Sequence, residues 1–498
     1  MTARRPLVVV SLPGRSVAAA VGEIGLAREA GADAAEIRLD RWPREERERV
    51  GTLFPSALPL VATFRSRAEG GEGPDDPETR SAELLRVAEL PFRWIDLEFG
   101  RDLGVVSRLP PPSQLGRIIS CHLGPSDAGR WAERWLDLSR VDGVGKLVVP
   151  ASVPVALDEI VPRLAERRDA TVTVLTVGGS GPVLRALSGR LGAPLVYASL
   201  PEGSGAPPVE PSQVPVDRLR PFLDADGEPP IFAVVGRPVA HSSSPAVHTR
   251  WMRAEGREGL YVALEFADDS EFLRSVPPLA ANGFRGLNVT QPFKFAAFEA
   301  ATETTPGATA CRAANCLALR EDGVVAENTD LAAILRRLEE LRSEGRWAGD
   351  RLLVIGAGGA ARATLAAARE LGARAQVVDR RPERATRIAE EFGATPADPS
   401  AVGPERLVVH ATSAGRSTSG PLELPLGRWL GPTSHVLDWV YRPDEKSVAN
   451  ATRQAGATYE DGWRLFVYQA AAAYAFWWGE EPPGEEIERT IGEGPCAG

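Results

Sequence analysis

Leu352-Leu-Val-Ile-Gly356-Ala357-Gly358-Gly359-Ala360-Ala-Arg362-Ala reads as a strand, a glycine turn and the start of a helix. Such a turn lets the backbone approach a pyrophosphate, whose charge then rests on the helix N-terminus. The glycine spacing alone is a weak signal. A second strand, Ala375–Val378, follows and ends at Asp379-Arg380-Arg381-Pro-Glu-Arg384. Arginines at that strand end suit a ribose 2′-phosphate and favour NADP, whereas Asp379 suits the free 2′-hydroxyl of NAD. NADP is the favoured cofactor, with NAD as the alternative. The unit built on this turn is expected to be a Rossmann lobe over residues 333–460.

Upstream, a strand Ile231–Gly236 opens the second half of the chain, after a proline-rich stretch from Pro207 to Pro230. That stretch reads as a boundary, with a linker expected over 216–230. Before it, eight β-rich runs alternate with helical segments. They are Leu7–Leu12, Ala34–Leu39, Leu58–Phe64, Trp94–Phe99, Arg117–His122, Val144–Val149, Thr171–Val177 and Leu195–Leu200. An open doubly wound sheet shares this alternation, but an even eight favours a (β/α)₈ barrel over residues 1–215. The expected class is therefore α/β: a barrel, then a two-lobed unit. Its first lobe is expected over 231–332, completed by 461–490.

The bulk composition bounds the partners. With 498 residues, 43% hydrophobic and 25% charged, the chain fits two or three soluble globular domains. A net charge of −10 argues against nucleic acid or an anionic membrane as partner. No run reaches 18 apolar residues, so no membrane span is expected. Cys121, Cys311, Cys316 and Cys496 have neither CxxC nor zinc spacing, which points to a reduced, cytoplasmic setting without structural metal.

Lysine is nearly absent. Of the 57 lysines and arginines, only Lys146, Lys294 and Lys446 are lysine. Where arginine serves every ordinary positive charge, a surviving lysine is a candidate for chemistry that needs a deprotonated amine. The first 230 residues hold one lysine, Lys146, and one histidine, His122. Lys146 lies on the sixth run among Val144, Leu147, Val148 and Val149, where desolvation is expected to lower its pKa. His122 closes the fifth run, and consecutive barrel strands pair. Glu36, Arg38 and Asp40 share one side of the second run at period-2 spacing. Arg65 and Glu69 follow the third run, and Glu98 lies near the end of the fourth.

Several segments now converge on one family. Ala32-Asp-Ala-Ala-Glu36-Ile-Arg38-Leu-Asp40, Thr63-Phe-Arg65 with Glu69-Gly-Gly, Ile118-Ile-Ser-Cys-His122 and Gly145-Lys146 together resemble type I 3-dehydroquinate dehydratase. The resemblance implies a (β/α)₈ barrel in which Lys146 forms an imine with the substrate ketone and His122 moves protons. It also implies that Glu36, Arg38, Arg65 and Glu69 line the site. Arg185 would hold the substrate carboxylate, and Gln213 would close over it. The chain departs from the family at Leu123-Gly124, at Leu184 before Arg185, and in the closing segment Val209-Glu-Pro-Ser-Gln213.

The second half carries further motifs: His241-Ser242-Ser-Ser244-Pro245, Gly286-Leu-Asn288-Val-Thr290-Gln-Pro-Phe-Lys294, Ala314-Asn315 and Glu327-Asn-Thr-Asp330. Asp438-Trp-Val-Tyr441 and Gly462 through Leu465 to Gln469 follow in order. Together they resemble shikimate dehydrogenase over about residues 231–480. The resemblance implies that Ser242 and Ser244 hold the substrate carboxylate. Asn288, Thr290, Asn315, Tyr441 and Gln469 would surround its hydroxyls, and Lys294 with Asp330 would form the catalytic pair. Gly356, Ala357, Gly358, Gly359, Ala360, Asp379, Arg380, Arg381, Arg384, Thr412 and Gly462 would meet the cofactor. Departures are Leu331, His410, Ser413 and Leu465. His241 and His248 read as structural, and Lys446 as a solvated surface charge.

The expected activity is bifunctional: 3-dehydroquinate is dehydrated to 3-dehydroshikimate, which NADPH then reduces to shikimate. One alternative is a dehydrogenase whose barrel is an inactive binding or regulatory module. The other is an NAD-dependent quinate/shikimate dehydrogenase running in the oxidative direction. Oligomeric state is not legible in the sequence.

Overall fold

The computed structural model describes residues 5–167, 171–239, 242–403, 405–415, 422–442 and 448–495. His241, Lys446 and Cys496 lie outside the described residues. Two compact units make up the chain. The first takes Met1–Phe232, Pro238–Ala240 and Glu258–Phe284, and the second takes Ala233–Arg237, His241–Arg257 and Arg285–Gly498. The expected lobe over 231–332 is thus divided between them.

The first unit holds eight parallel strands: β1 (Leu7–Leu12), β2 (Ala34–Arg38), β3 (Leu60–Thr63), β4 (Trp94–Glu98), β5 (Gly116–His122), β6 (Val144–Pro150), β7 (Val172–Val177) and β8 (Leu195–Ala198). Their order is β7-β6-β5-β4-β3-β2-β1-β8, the sequential order of a (β/α)₈ barrel. At the seam between β7 and β8, the Thr173 hydroxyl donates to the Leu195 carbonyl at 2.9 Å and accepts the Leu195 N–H at 3.1 Å. Val9, Ala34, Val61, Ile118, Val148, Leu175, Leu195 and Tyr197 pack as a core cluster of these strands. Helix Val216–Asp224 occupies much of the expected linker, and it buries Val216, Leu219 and Phe222. Pro215 is the N-cap, and Pro221 lies inside the helix, where it has no N–H to donate to the Asp217 carbonyl.

Register explains why the polar residues gather. Ser11 pairs with Glu36, Arg38 with Thr63, Glu98 with Ser120, and Ser120 with Lys146. Side chains two residues apart share a face, so Glu36 with Arg38, Asp96 with Glu98, and Ser120 with His122 each share one.

Further strands are β9 (Ile231–Val235), β10 (Leu260–Leu264), β11 (Phe284–Val289), β12 (Glu303–Thr304), β13 (Cys316–Arg320) and β14 (Gly323–Glu327). They form a sheet of order β10-β9-β11-β13-β14-β12. Beyond it, β15 (Arg351–Ile355), β16 (Arg374–Val378), β17 (Thr395–Pro396), β18 (Leu407–His410), β19 (His435–Asp438) and β20 (Thr458–Glu460) form a parallel sheet. Its order is β17-β16-β15-β18-β19-β20. The chain steps outward from β15 to β17, then returns to β18 on the other side. That reversal between β15 and β18 is the switch point at whose carboxyl ends a doubly wound sheet is expected to bind its ligand. Among the described residues, no helix is long and apolar enough to cross a membrane.

Candidate active sites

In the first unit, one cavity of about 160 Å³ is lined by Glu36, Arg38, Arg65, Glu69, His122, Lys146, Arg185 and Gln213, the eight barrel residues to which the resemblance gives a role, whereas Asp40 and Glu98 do not line it. Lys146 is buried at 5% exposure. Its ammonium lies 3.4 Å from Asp96 and 3.6 Å from Glu36, and 4.0 Å from the centroid of the Tyr197 ring. The environment is therefore ionic on one side and aromatic on the other, not the apolar cage expected from its strand neighbours.

Glu36 accepts hydrogen bonds from the Ser11 hydroxyl at 2.7 Å and the Thr63 hydroxyl at 2.8 Å, which fix its orientation beside the amine. Arg65 spans the floor, donating to Asp96 at 2.7 Å, to the Ser120 hydroxyl at 2.8 Å and to Glu69 at 3.0 Å. Burial raises the Asp96 pKa, but Arg65 and Lys146 outweigh it and hold this carboxyl below its ordinary range. Arg38 grips Asp40 through two bonds of 2.9 and 2.8 Å, so Asp40 positions Arg38. Glu98 accepts the Ser66 N–H and hydroxyl, both at 2.7 Å, and thereby holds the turn after β3.

His122 Nδ1 lies 3.0 Å from Glu69 Oε2, which also accepts the His122 backbone N–H at 3.2 Å. Burial pushes Glu69 up to about 7. Burial, with Arg65, Lys146 and Arg38 nearby, holds His122 well below the usual imidazole range. Both shifts favour neutral forms, so the pair carries one proton and no net charge below about pH 7. Arg185 is buried in the cavity wall. It donates to the carbonyls of Tyr197, Thr176 and Gly181, and Nη2 faces Glu210 at 3.4 Å.

In the second unit, Lys294 is the first residue of helix Lys294–Glu299, and its ammonium hydrogen-bonds Asp330 Oδ2. Asn315 Nδ2 donates to the other oxygen of Asp330 at 2.9 Å, to the Thr329 hydroxyl at 2.9 Å and to Gln469 Oε1 at 3.4 Å. Asn315 Oδ1 accepts the Thr329 N–H at 2.7 Å, so this one amide bridges Thr329, Asp330 and Gln469. The Ser242 and Ser244 hydroxyls lie 3.2 Å apart at the start of helix Ser244–Ala254. Asn288 is buried on β11 and hydrogen-bonds His248, whose pKa burial pulls down to about 3. Thr290 is half-buried just beyond β11. Tyr441 packs on Phe466 and Trp463 with centroids 4.8 and 5.8 Å apart.

The glycine turn has the shape a dinucleotide needs. Gly356 has φ +118°, and a Cβ there would meet the Ala411 carbonyl at 2.8 Å. A Cβ on Gly358 would meet nothing within 4 Å, leaving open space at the N-cap of helix Gly359–Glu370. A Cβ on Gly359 would meet the Lys294 stem at 2.7 Å. Ala357 O accepts Arg384 Nη2 at 3.1 Å, and Ala360 lies in the first turn of the helix. Arg380 and Arg381 are exposed at the end of β16. Asp379 is buried at 8% exposure and accepts the Arg381 N–H at 3.0 Å. Its carboxylate therefore shapes its own turn. Gly462, the N-cap of helix Trp463–Trp478, lies where a Cβ would meet the Trp439 carbonyl at 2.5 Å.

Several groups went unrecognised in the sequence. Asp96 shares the period-2 face of Glu98, a signal that was present. Tyr197 and Glu210 had none. His410 makes a buried relay, with Nδ1 2.7 Å from Asp438 and Nε2 2.7 Å from the Thr412 hydroxyl. The Tyr459 hydroxyl donates to Asp438 at 2.9 Å, so Thr412 is held through three side chains. Among the described residues, no group of three or more histidines, cysteines or carboxylates could hold a metal ion.

Two family models match stretches of the chain. Residues 8–230 match the type I 3-dehydroquinase model, and residues 234–317 match the shikimate dehydrogenase substrate binding domain. A shikimate dehydrogenase (NADP(+)) from Acidiphilium cryptum is 38% identical over 261 residues, covering 51% of this chain and 93% of the relative. A chloroplastic bifunctional 3-dehydroquinate dehydratase/shikimate dehydrogenase from Arabidopsis thaliana is 27% identical over 510 residues, covering 96% of this chain and 83% of the relative. A shikimate 5-dehydrogenase from Thermus thermophilus, solved with NADP(H) and shikimate, is 32% identical with a TM-score of 0.48. The match covers 53% of this chain and 99% of that one.

Proposed function

The chain belongs to the shikimate dehydrogenase family and carries a type I 3-dehydroquinase domain ahead of it, and from that premise we propose how its own residues divide two consecutive reactions. In the barrel, the Lys146 amine attacks the ketone of 3-dehydroquinate, and the ketone oxygen leaves as water to give an imine. His122, oriented by Glu69, takes the proton from the carbon beside the imine. The same pair returns a proton to the departing β-hydroxyl, which leaves as water, and hydrolysis frees Lys146 and 3-dehydroshikimate. The observation that carries this reading is the convergence of a buried lysine, Glu36 and the His122–Glu69 pair on one cavity, with Asp96 beside the amine.

The sign of the pH dependence follows from the pair. Below about pH 7 it holds one proton, and above that it releases it to become the base. Dehydration kcat/KM is expected to rise with pH through about 7, and Glu69→Gln is expected to flatten that limb. A wild-type profile flat from about pH 5.5 to about 8.5, either side of that value, would count against His122–Glu69 as the proton carrier.

In the second unit, Lys294 and Asp330 supply or take the hydroxyl proton of shikimate. Asn315 fixes Asp330 from its other oxygen, and Gln469, Asn288, Thr290 and Tyr441 surround the ring hydroxyls. Ser242 and Ser244 take the carboxylate. A bound nicotinamide dinucleotide supplies the hydride. The turn Gly356–Ala360 would hold its pyrophosphate, Thr412 and Gly462 would meet the cofactor, and Arg380, Arg381 and Arg384 would pair with a 2′-phosphate. We assign NADP because the Asp379 carboxylate is already engaged by the Arg381 N–H, while Arg380 and Arg381 are exposed. Replacing both Arg380 and Arg381 by Ala is expected to raise KM for NADP about tenfold or more, from lost charge-assisted bonds, and to leave NAD nearly unaffected. A wild type that prefers NAD in kcat/KM overturns the assignment. The thiols of Cys121, Cys311 and Cys316 are free and buried, in keeping with a reduced cytoplasmic setting.

A further inference from the structure

Arg185 is 2% exposed, and Nε and Nη1 already donate to backbone carbonyls: Tyr197 at 3.2 Å, Thr176 at 2.8 Å and Gly181 at 2.6 Å. These acceptors fix the guanidinium plane, but they bring no negative charge. Burial pulls Arg185 down to about 10, and only Glu210 opposes that shift. A buried cation so poorly compensated is a site for a carboxylate.

That position is taken by the chain itself. Glu210 lies in the segment Val209–Gln213, which borders the cavity. Arg41 donates to the Val209 carbonyl at 3.4 Å, and Gln213 Nε2 donates to the Ser11 hydroxyl at 3.2 Å. Within the segment, Glu210 Oε2 accepts the Ser212 N–H at 3.1 Å and the Ser212 hydroxyl, and it faces Arg185 Nη2 at 3.4 Å. The last distance is longer than the roughly 2.7–2.9 Å of a strong charge-assisted bond. The pair is also asymmetric, with side-chain exposures of 3% for Arg185 and 29% for Glu210. Glu210 can swing into water, whereas Arg185 cannot.

Resting on the dehydratase reading, we propose that Glu210 is a specificity-determining residue of the barrel: its carboxylate holds Arg185 in the free protein, and a ligand enters by displacing it with a carboxylate of its own. A ring ketone without a carboxylate would leave Arg185 paired to Glu210 and gain nothing there. The internal carboxylate therefore selects acids and sets their affinity.

The test uses the full chain with Glu210→Gln and, as a second substitution at this partly exposed loop position, Glu210→Ala. Reduction of 3-dehydroshikimate by the second half of each variant reports intact protein. The probe is cyclohexanecarboxylate, whose binding is followed by calorimetry and by inhibition of 3-dehydroquinate dehydration. The expected result is about fivefold tighter cyclohexanecarboxylate binding and a similar fall in KM, with the gain in KM rather than kcat, as for loss of a partly buried competing ion pair. Cyclohexanone binding is expected to stay as weak as in the wild type. Unchanged or weaker cyclohexanecarboxylate binding in both variants overturns the role of Glu210. A wild type that fails to dehydrate 3-dehydroquinate overturns the dehydratase reading instead, and calorimetry still decides the Arg185 pairing.

Discussion

Lys146→Ala is expected to lower dehydration of 3-dehydroquinate by about 10⁴-fold or more, because removing a covalent nucleophile removes the pathway rather than one contact. The loss should not come from unfolding. Asp96 keeps its bonds to Arg65 and Ser120, and Glu36 keeps Ser11 and Thr63, so neither carboxylate is left without a partner. Lys146→Arg makes the sharper comparison. It preserves a positive charge beside Asp96 and Glu36, but a guanidinium does not deprotonate and attack a ketone. The arginine variant should therefore be as inactive as the alanine one. Borohydride added during turnover should attach one substrate-derived group to the wild type and none to either variant. An arginine variant with substantial activity would reduce Lys146 to an electrostatic role.

The second large effect is expected at Lys294. Lys294→Met should lower reduction of 3-dehydroshikimate by about 10²–10⁴-fold, the range for losing a positioned proton donor. Methionine keeps an unbranched stem where Gly359 leaves room for the lysine methylenes. Asp330 remains anchored by Asn315, so the pocket should survive. Cofactor binding, measured by NADPH fluorescence, should change little. A variant that turns over normally would remove the Lys294–Asp330 pair from the proton path.

These two lysines were legible because the composition uses arginine almost everywhere else and because each sits in a patterned neighbourhood. The eight barrel strands were legible because each is a short β-rich run of the length a parallel strand needs, alternating with a helical segment. The helix Val216–Asp224 was not. Pro211, Pro215, Pro221, Pro229 and Pro230 give this stretch a linker composition, while the buried Val216, Leu219 and Phe222 betray a helical face only at i, i+3, i+6 spacing. Side-chain partnerships across distant strands were less accessible still. Nothing local announces that Asp96 is shared by Arg65 and Lys146, or that His410 reaches Asp438. Such contacts depend on register, which is fixed by the parallel pairing of β3 through β6 in the first case and of β18 with β19 in the second. Glu210 was read only as a departure from a closing segment, because its meaning lies in the distance to Arg185.

The most direct test of two consecutive reactions in one chain is a product analysis with 3-dehydroquinate and NADPH as the only substrates. Wild type should accumulate shikimate, Lys146→Ala should leave 3-dehydroquinate, and Lys294→Ala should stop at 3-dehydroshikimate. A wild type that reduces added 3-dehydroshikimate yet forms no shikimate from 3-dehydroquinate would contradict the account and leave the barrel a binding module.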